Sequence, residues 1–158
     1  MMQSLNPKDA KVLIVEDNRD DIIIASRALK AFGIKHIFSA QTGEEALAYL
    51  TQHKCDVALV DHRLPGMSGL RLLEQIRAAR PETRVIVVTG ARDERVAAAA
   101  IKLGASDYVS KDEFLTSGII NSLQAALREE IAEQEEQRRL SLWSGTDRLA
   151  DKEGRAVA

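Results

Sequence analysis

One cysteine, Cys55, is all the chain has. It cannot close an internal disulfide, so a disulfide-stapled fold is excluded and a reducing compartment is expected. Cys55 itself reads as a small, partly buried thiol ahead of a strand. Long apolar runs are missing too. None approaches the ~20 residues of a membrane span, and residues 1–8 lack the apolar core of a secretory signal. Neither sign of charge dominates: 22 Lys and Arg face 24 Asp and Glu, a formal net charge of −2. No sequence-wide basic field therefore draws nucleic acid or anionic membrane. A cytoplasmic protein with no membrane association and no direct nucleic-acid contact is expected. What remains is ordinary: 45% hydrophobic and 29% charged residues in a chain of 158. That is enough for one domain with a proper core and too little for two.

Apolar runs alternate with helical patterns, and no internal repeat interrupts them. Strands are expected near 11–16, 34–39, 57–61, 84–89 and 106–110. Runs such as Val85-Ile86-Val87-Val88 are continuous, as in a sheet covered by helices on both faces. The first helix is expected from Asp20 to Phe32, with Ile23, Ile24, Ala28, Leu29 and Ala31 at helical spacing and Gly33 as its stop. Thr42 or Gly43 opens the second, which turns Ala46, Leu47 and Leu50 inward. Ser68 caps the third, with Leu70, Leu72, Leu73 and Ile76, and Asp93 caps the fourth, ending at Leu103 and Gly104. A fifth follows Asp112 and carries Phe114, Leu115, Ile119, Ile120, Leu123 and Leu127. Five βα units in about 130 residues predict a doubly wound α/β domain with a five-stranded parallel sheet.

Charged residues punctuate the strand ends. Glu16 and Asp17 close the run Val12-Leu13-Ile14-Val15, and Asp61 closes Val57-Ala58-Leu59-Val60. The carboxyl ends of neighbouring parallel strands open onto one crevice, where ligands bind. Three carboxylates delivered there repel one another and call for a cation. A hard, oxygen-liganded ion such as Mg²⁺ suits them, because it binds through few carboxylates and keeps places for water and phosphate. Thr89 and Lys111 end the fourth and fifth strands in the same way.

This order of strand-end residues resembles the receiver domain of two-component response regulators. The likeness covers roughly residues 10–128 and rests on the segments Val12-Leu13-Ile14-Val15-Glu16-Asp17-Asn18, Asp61-His62-Arg63-Leu64-Pro65-Gly66-Met67-Ser68-Gly69, Val87-Val88-Thr89-Gly90 and Gly104-Ala105-Ser106-Asp107-Tyr108-Val109-Ser110-Lys111. It implies a (βα)5 flavodoxin-like, CheY-like fold. By the same resemblance Asp61 is the phospho-acceptor, a carboxylate nucleophile. Asp17 ligates Mg²⁺ directly and Glu16 through water, with Asp61 and the main-chain carbonyl of Arg63 completing the protein ligands. Lys111 contacts a phosphoryl oxygen, Thr89 donates its hydroxyl after transfer, and Tyr108 is the aromatic that follows the moving loop. The implied partners are a sensor histidine kinase or histidine phosphotransfer protein and a downstream protein target. His62, beside Asp61, reads as a loop or solvent-facing neighbour, and His36 and His53 as structural. Gly66 and Gly69 read as turn and close-approach glycines after Pro65, and Gly90 as room for a phosphodonor. One departure stands out: Asp112 follows Lys111 where receivers commonly have proline, often with a cis bond.

Three functional readings follow. The first is a stand-alone receiver, residues 1–128, followed by a helical extension and flexible tail at 129–158. The second is the regulatory module of a larger effector whose output domain lies beyond Ala158. The third, an aspartyl-phosphate hydrolase, is disfavoured because Arg63 stands where such enzymes place a second aspartate; no enzymatic turnover beyond self-catalysed phosphoryl transfer and autodephosphorylation is expected. From Glu113 onward nine acidic residues face six Lys and Arg, which speaks against nucleic acid. A helix extended toward Arg139, with Leu140, Leu142 and Trp143 beyond it, is expected to support a homodimer or kinase contact.

Overall fold

A computed structural model of the chain describes residues 6–115 and 118–152. Five strands, β1 (Lys11–Val15), β2 (His36–Ala40), β3 (Val57–Asp61), β4 (Arg84–Thr89) and β5 (Asp107–Ser110), alternate with five helices: α1 (Arg19–Phe32), α2 (Gly43–Gln52), α3 (Gly69–Ala79), α4 (Glu94–Lys102) and α5 (Gly118–Lys152). All strand pairs are parallel, in the order β2-β1-β3-β4-β5. The chain winds outward from β1 in one direction and from β3 in the other. The switch point where the order reverses, the place where such sheets bind ligands, therefore lies between the ends of β1 and β3.

Side chains alternate across each strand, and the core divides accordingly. Leu13, Val15, Ala58, Val60, Val85 and Val87 face α2, α3 and α4. Val12, Ile14, Val57, Leu59, Ile86 and Val88 face α1 and α5. Burial on both faces is why these strands read as unbroken apolar runs. Cys55 is more deeply buried than expected, 2% exposed, and burial pushes its thiol up to about 11.

Three sequence expectations are corrected. β2 begins two residues late, at His36, because Ile34 packs into the α1 side of the core before the pairing with Lys11 starts. On α1 the inward face is Ile22, Ala25 and Leu29, while Ile23 and Ile24 are 46% and 40% exposed. Three consecutive isoleucines leave the helical phase open. Ala25 and Leu29, three and seven residues after Ile22, settle it, and Asn18 caps the helix start, its Oδ1 accepting from the Asp20 and Asp21 amides at 2.9 and 3.3 Å. The segment assigned to the start of the fifth helix is a 3-10 turn, Lys111–Leu115, and α5 begins at Gly118. Every described peptide is trans, including the bond to Asp112. At its other end α5 runs on through Leu140 and Trp143 to Lys152; residues 153–158 of the expected tail lie outside the described residues. The remaining caps fall on Thr42, Ser68 and Asp93 as the sequence indicated.

The turn after β3 is shaped by two glycines. Gly66 sits at φ +77°, a left-handed conformation that side chains disfavour. Gly69 opens α3 directly against β3: a Cβ there would lie 2.2 Å from the Asp61 main-chain oxygen and 2.8 Å from His62 Cα. Backbone on both sides leaves nothing free to yield. We expect Gly69→Ala to cost roughly 1–3 kcal/mol, as overpacking does, read as a lower urea midpoint with an unchanged slope; wild-type stability would show that α3 can shift away from β3.

Candidate functional site

β1 delivers Glu16 and Asp17, and β3 delivers Asp61, to opposite lips of the switch point. One carboxylate oxygen from each of the three lies within 4.8 Å of the others. Like charges at that spacing are held together only if something opposes them. The 3-10 turn after β5 supplies it: Lys111 Nζ lies 2.6 Å from Glu16 Oε1, 2.6 Å from Asp21 Oδ2 and 3.2 Å from Asp61 Oδ2. Main-chain groups add two further donors. The Asn18 amide donates to Glu16 Oε2 at 3.1 Å, and the Arg63 amide donates to Asp61 Oδ1 at 3.1 Å. Glu16, Asp21, Asp61 and Lys111 line a cavity of about 170 Å³, with Ile14, Leu59 and Val88 among its apolar walls.

Depth governs the electrostatics. Glu16 and Asp61 are 5% and 6% exposed, whereas Asp17 stands in solvent. Burial pushes the Glu16 carboxyl from 4.5 up to about 7; the bonds from Lys111 and the Asn18 amide oppose the rise, and Asp61 adds to it. Burial alone would lower Lys111, but its bonds to Asp21 and Glu16 and the charge of Asp61 outweigh that and raise it. The site thus holds a firmly charged ammonium beside a carboxyl that gains its proton easily. The three hard oxygen donors suit Mg²⁺ by their chemistry, since it takes few carboxylates and retains water and phosphate ligands.

Thr89 and Tyr108 lie on the neighbouring strands β4 and β5. Both are buried, and both are engaged by the loop after β4. The Thr89 hydroxyl donates to the Ala91 carbonyl at 2.8 Å and accepts from the Ala91 amide at 3.3 Å. The Tyr108 hydroxyl accepts from the amide of Asp93, the cap of α4, at 3.2 Å. Arg63 is exposed, and His62 is half-buried with its amide on Val88. A Cβ at Gly90 would meet nothing, so that glycine leaves the approach open without being sterically required.

The sequence reading missed Asp21. It lies in the first turn of α1, whereas Asp17 precedes the Asn18 cap, so no local spacing ties it to the acidic pair.

The sequence profile of the response regulator receiver domain matches residues 12–123. The chain belongs to that family. A DNA-binding transcriptional regulator, NtrC of Salmonella typhimurium, is 38% identical to the receiver over 100 residues, 63% of this chain and 21% of its own length. The photosynthetic apparatus regulatory protein RegA of Rhodobacter capsulatus is 34% identical over 103 residues, 65% of this chain and 55% of its own length. The chain thus spans about half or less of these relatives. A CheY-like receiver domain protein from Methanospirillum hungatei superposes with a TM-score of 0.69 at 26% identity, covering 79% of this chain and 98% of that one. No described helix is long and apolar enough to cross a membrane.

The raised Glu16 value carries a pH signature for the metal-free receiver. A carboxyl that holds its proton more tightly folded than unfolded adds stability at low pH. That contribution fades as pH rises from 4.5 through about 7 and is gone above it. Glu16→Gln has no such term. Its stability relative to wild type should therefore climb between those pH values and level off above, in paired urea titrations; a flat difference would remove the assignment.

Proposed function

We propose that this receiver is a phosphorylation-dependent signalling switch, with Asp61 taking a phosphoryl group from a histidine kinase or histidine phosphotransfer protein. The observation that carries the reading is the placement of Lys111 Nζ 3.2 Å from Asp61 Oδ2, beside a carboxylate group suited to Mg²⁺. An Asp61 oxygen attacks phosphorus as the P–N bond of the donor phosphohistidine breaks. The bonding pair leaves on the imidazole nitrogen, and Asp61 ends as an acyl phosphate. Asp17, Glu16 through water, Asp61 and the Arg63 carbonyl are the ligands assigned to Mg²⁺, which when bound supplies charge neutralisation for the transferring group. Lys111 holds a phosphoryl oxygen as a point charge. Water later attacks phosphorus, releasing inorganic phosphate and restoring the carboxylate.

The switch lies in the loop after β4. Thr89 turns from Ala91 to the phosphoryl group, the loop moves inward, and the Tyr108 ring follows it. The change is a shift between two conformers of one fold. Output passes by protein contact or phosphorelay in the cytoplasm. The alternative is a regulatory module of a longer effector protein, the arrangement in which these relatives extend well beyond the matched region. A reading frame running on past Ala158 would favour that alternative.

A self-association surface completes the reading. On α5, Leu140, Leu142 and Trp143 are 49%, 69% and 70% exposed, a cluster of large apolar groups of the kind that marks contact surfaces. A homodimer through this helix predicts a dimer mass in sedimentation equilibrium, reduced to monomer by Leu142→Ser with Trp143→Ser. A monomeric wild type would discard it.

Incubation with Mg²⁺ and acetyl phosphate tests the central proposal. Wild type should gain the mass of one phosphoryl group, dependent on Mg²⁺, and Asp61→Asn should gain none. A stable gain that survives in Asp61→Asn would sink the assignment.

A further inference from the structure

An ammonium has three N–H donors, and Lys111 meets three carboxylates, those of Glu16, Asp21 and Asp61. These partners differ in what else is asked of them. Glu16 and Asp61 belong to the group of oxygens close enough to share an ion, together with Asp17. Asp61 is also the carboxylate that the proposed reaction converts to an acyl phosphate. Both therefore change their hold on Lys111 during a cycle. Asp21 lies outside that group, and its demand on the ammonium stays constant.

The backbone fixes Asp21 as well. It sits in the first turn of α1, where Asn18 Oδ1 accepts from the amides of both Asp20 and Asp21. The helix N-terminus favours an anionic side chain there. α1 also packs against the 3-10 turn Lys111–Leu115, so both ends of the Lys111–Asp21 pair are held by elements in mutual contact. Lysine is a charge on a flexible four-carbon stem; without a fixed partner its head would sample several positions around the cavity.

We propose that Asp21 is a positioning residue for phosphoryl transfer, anchoring the Lys111 ammonium over the site while Glu16 and Asp61 are drawn to the metal and the phosphoryl group. The role rests on the function proposed above. It acts through Lys111 and does not touch the reacting atoms.

Asp21→Ala and Asp21→Asn separate anchoring from charge, because both remove the charge and only asparagine keeps an acceptor oxygen. Circular dichroism first establishes that both variants fold. With acetyl phosphate at saturating Mg²⁺, we expect Asp21→Ala to be phosphorylated about tenfold more slowly than wild type, the scale of a small misplacement of a catalytic group. Asp21→Asn should recover most of that rate. Mg²⁺ affinity, measured by calorimetry, should move equally in the two variants. The Lys111 ammonium resonance in nitrogen NMR should be observable in wild type and Asp21→Asn and lost to exchange in Asp21→Ala. Equal rates in the two variants, or a wild-type rate in Asp21→Ala, would overturn the anchoring role while leaving the switch intact. A wild type that takes up no phosphoryl group would overturn the switch, and this role with it.

Discussion

Four carboxylates gather at one end of the sheet around a single ammonium, and the rest of the molecule is arranged to hold them there. Glu16, Asp17, Asp21 and Asp61 come from two strand ends and a helix turn, and left alone they would push those elements apart. Lys111 bonds to three of the four, which leaves an excess of negative charge in a cavity with partly apolar walls. In low dielectric such an excess is costly. The site absorbs part of it by raising Glu16 toward protonation. The remainder is a standing attraction for a small cation. On the proposed function, a divalent ion and a phosphoryl group would enter such a pocket as a pair, since each relieves the charge of the other.

Holding repelling groups in place needs rigid supports, and they are of several kinds. The parallel sheet is buried on both faces, so β1 and β3 cannot splay without opening two cores at once. Gly69 lets α3 start hard against the Asp61 backbone, which closes off one direction of movement. Asn18 serves twice: its amide steadies Glu16, and its side chain caps the helix that carries Asp21. At the opposite end of the strands, Arg84 at the start of β4 pairs with Glu133 on α5, tying that helix to the sheet beyond the buried Leu127.

Much of this was legible in the sequence. Unbroken apolar runs revealed a sheet covered on both faces, and charged residues closing those runs revealed the crevice. Caps at Ser68 and Asp93 and the stop at Gly33 are local chemistry, decided within a few residues, and they read correctly. What failed to read was phase and partnership. Ile22, Ile23 and Ile24 are equally apolar, and Ile22 faces in because it shares a helix face with the buried Ala25 and Leu29. β2 slid by two residues because Ile34 is apolar for the sake of the core rather than the strand. Asp21 looked like an ordinary first-turn acid, since its partner lies 90 residues away and only the closed sheet brings them together. The length of α5 did not read because Gly145 and the polar residues after Trp143 resemble a chain end, whereas the helix runs on to Lys152.

The same geometry explains why a change at Asp61 would be felt in the β4–α4 loop before the sheet. Asp61, Thr89 and Tyr108 sit on three adjacent strands, β3, β4 and β5, whose pairing leaves no freedom to slide. The loop is bound differently. Its near end holds Thr89 through two hydrogen bonds to Ala91, and its far end holds Tyr108 through one from the Asp93 amide. Each such bond contributes on the order of 1 kcal/mol net, far less than breaking a strand pair and the packing around it. Residues 91–95 between them are exposed, so moving them uncovers little core. On the proposed function, a phosphoryl group offering Thr89 a charged acceptor need only outbid Ala91, since charge-assisted bonds are roughly twice as strong as neutral ones. On that proposal the Thr89–Ala91 contact gives way, and the Tyr108 ring follows the loop, to which it is tied through the Asp93 amide.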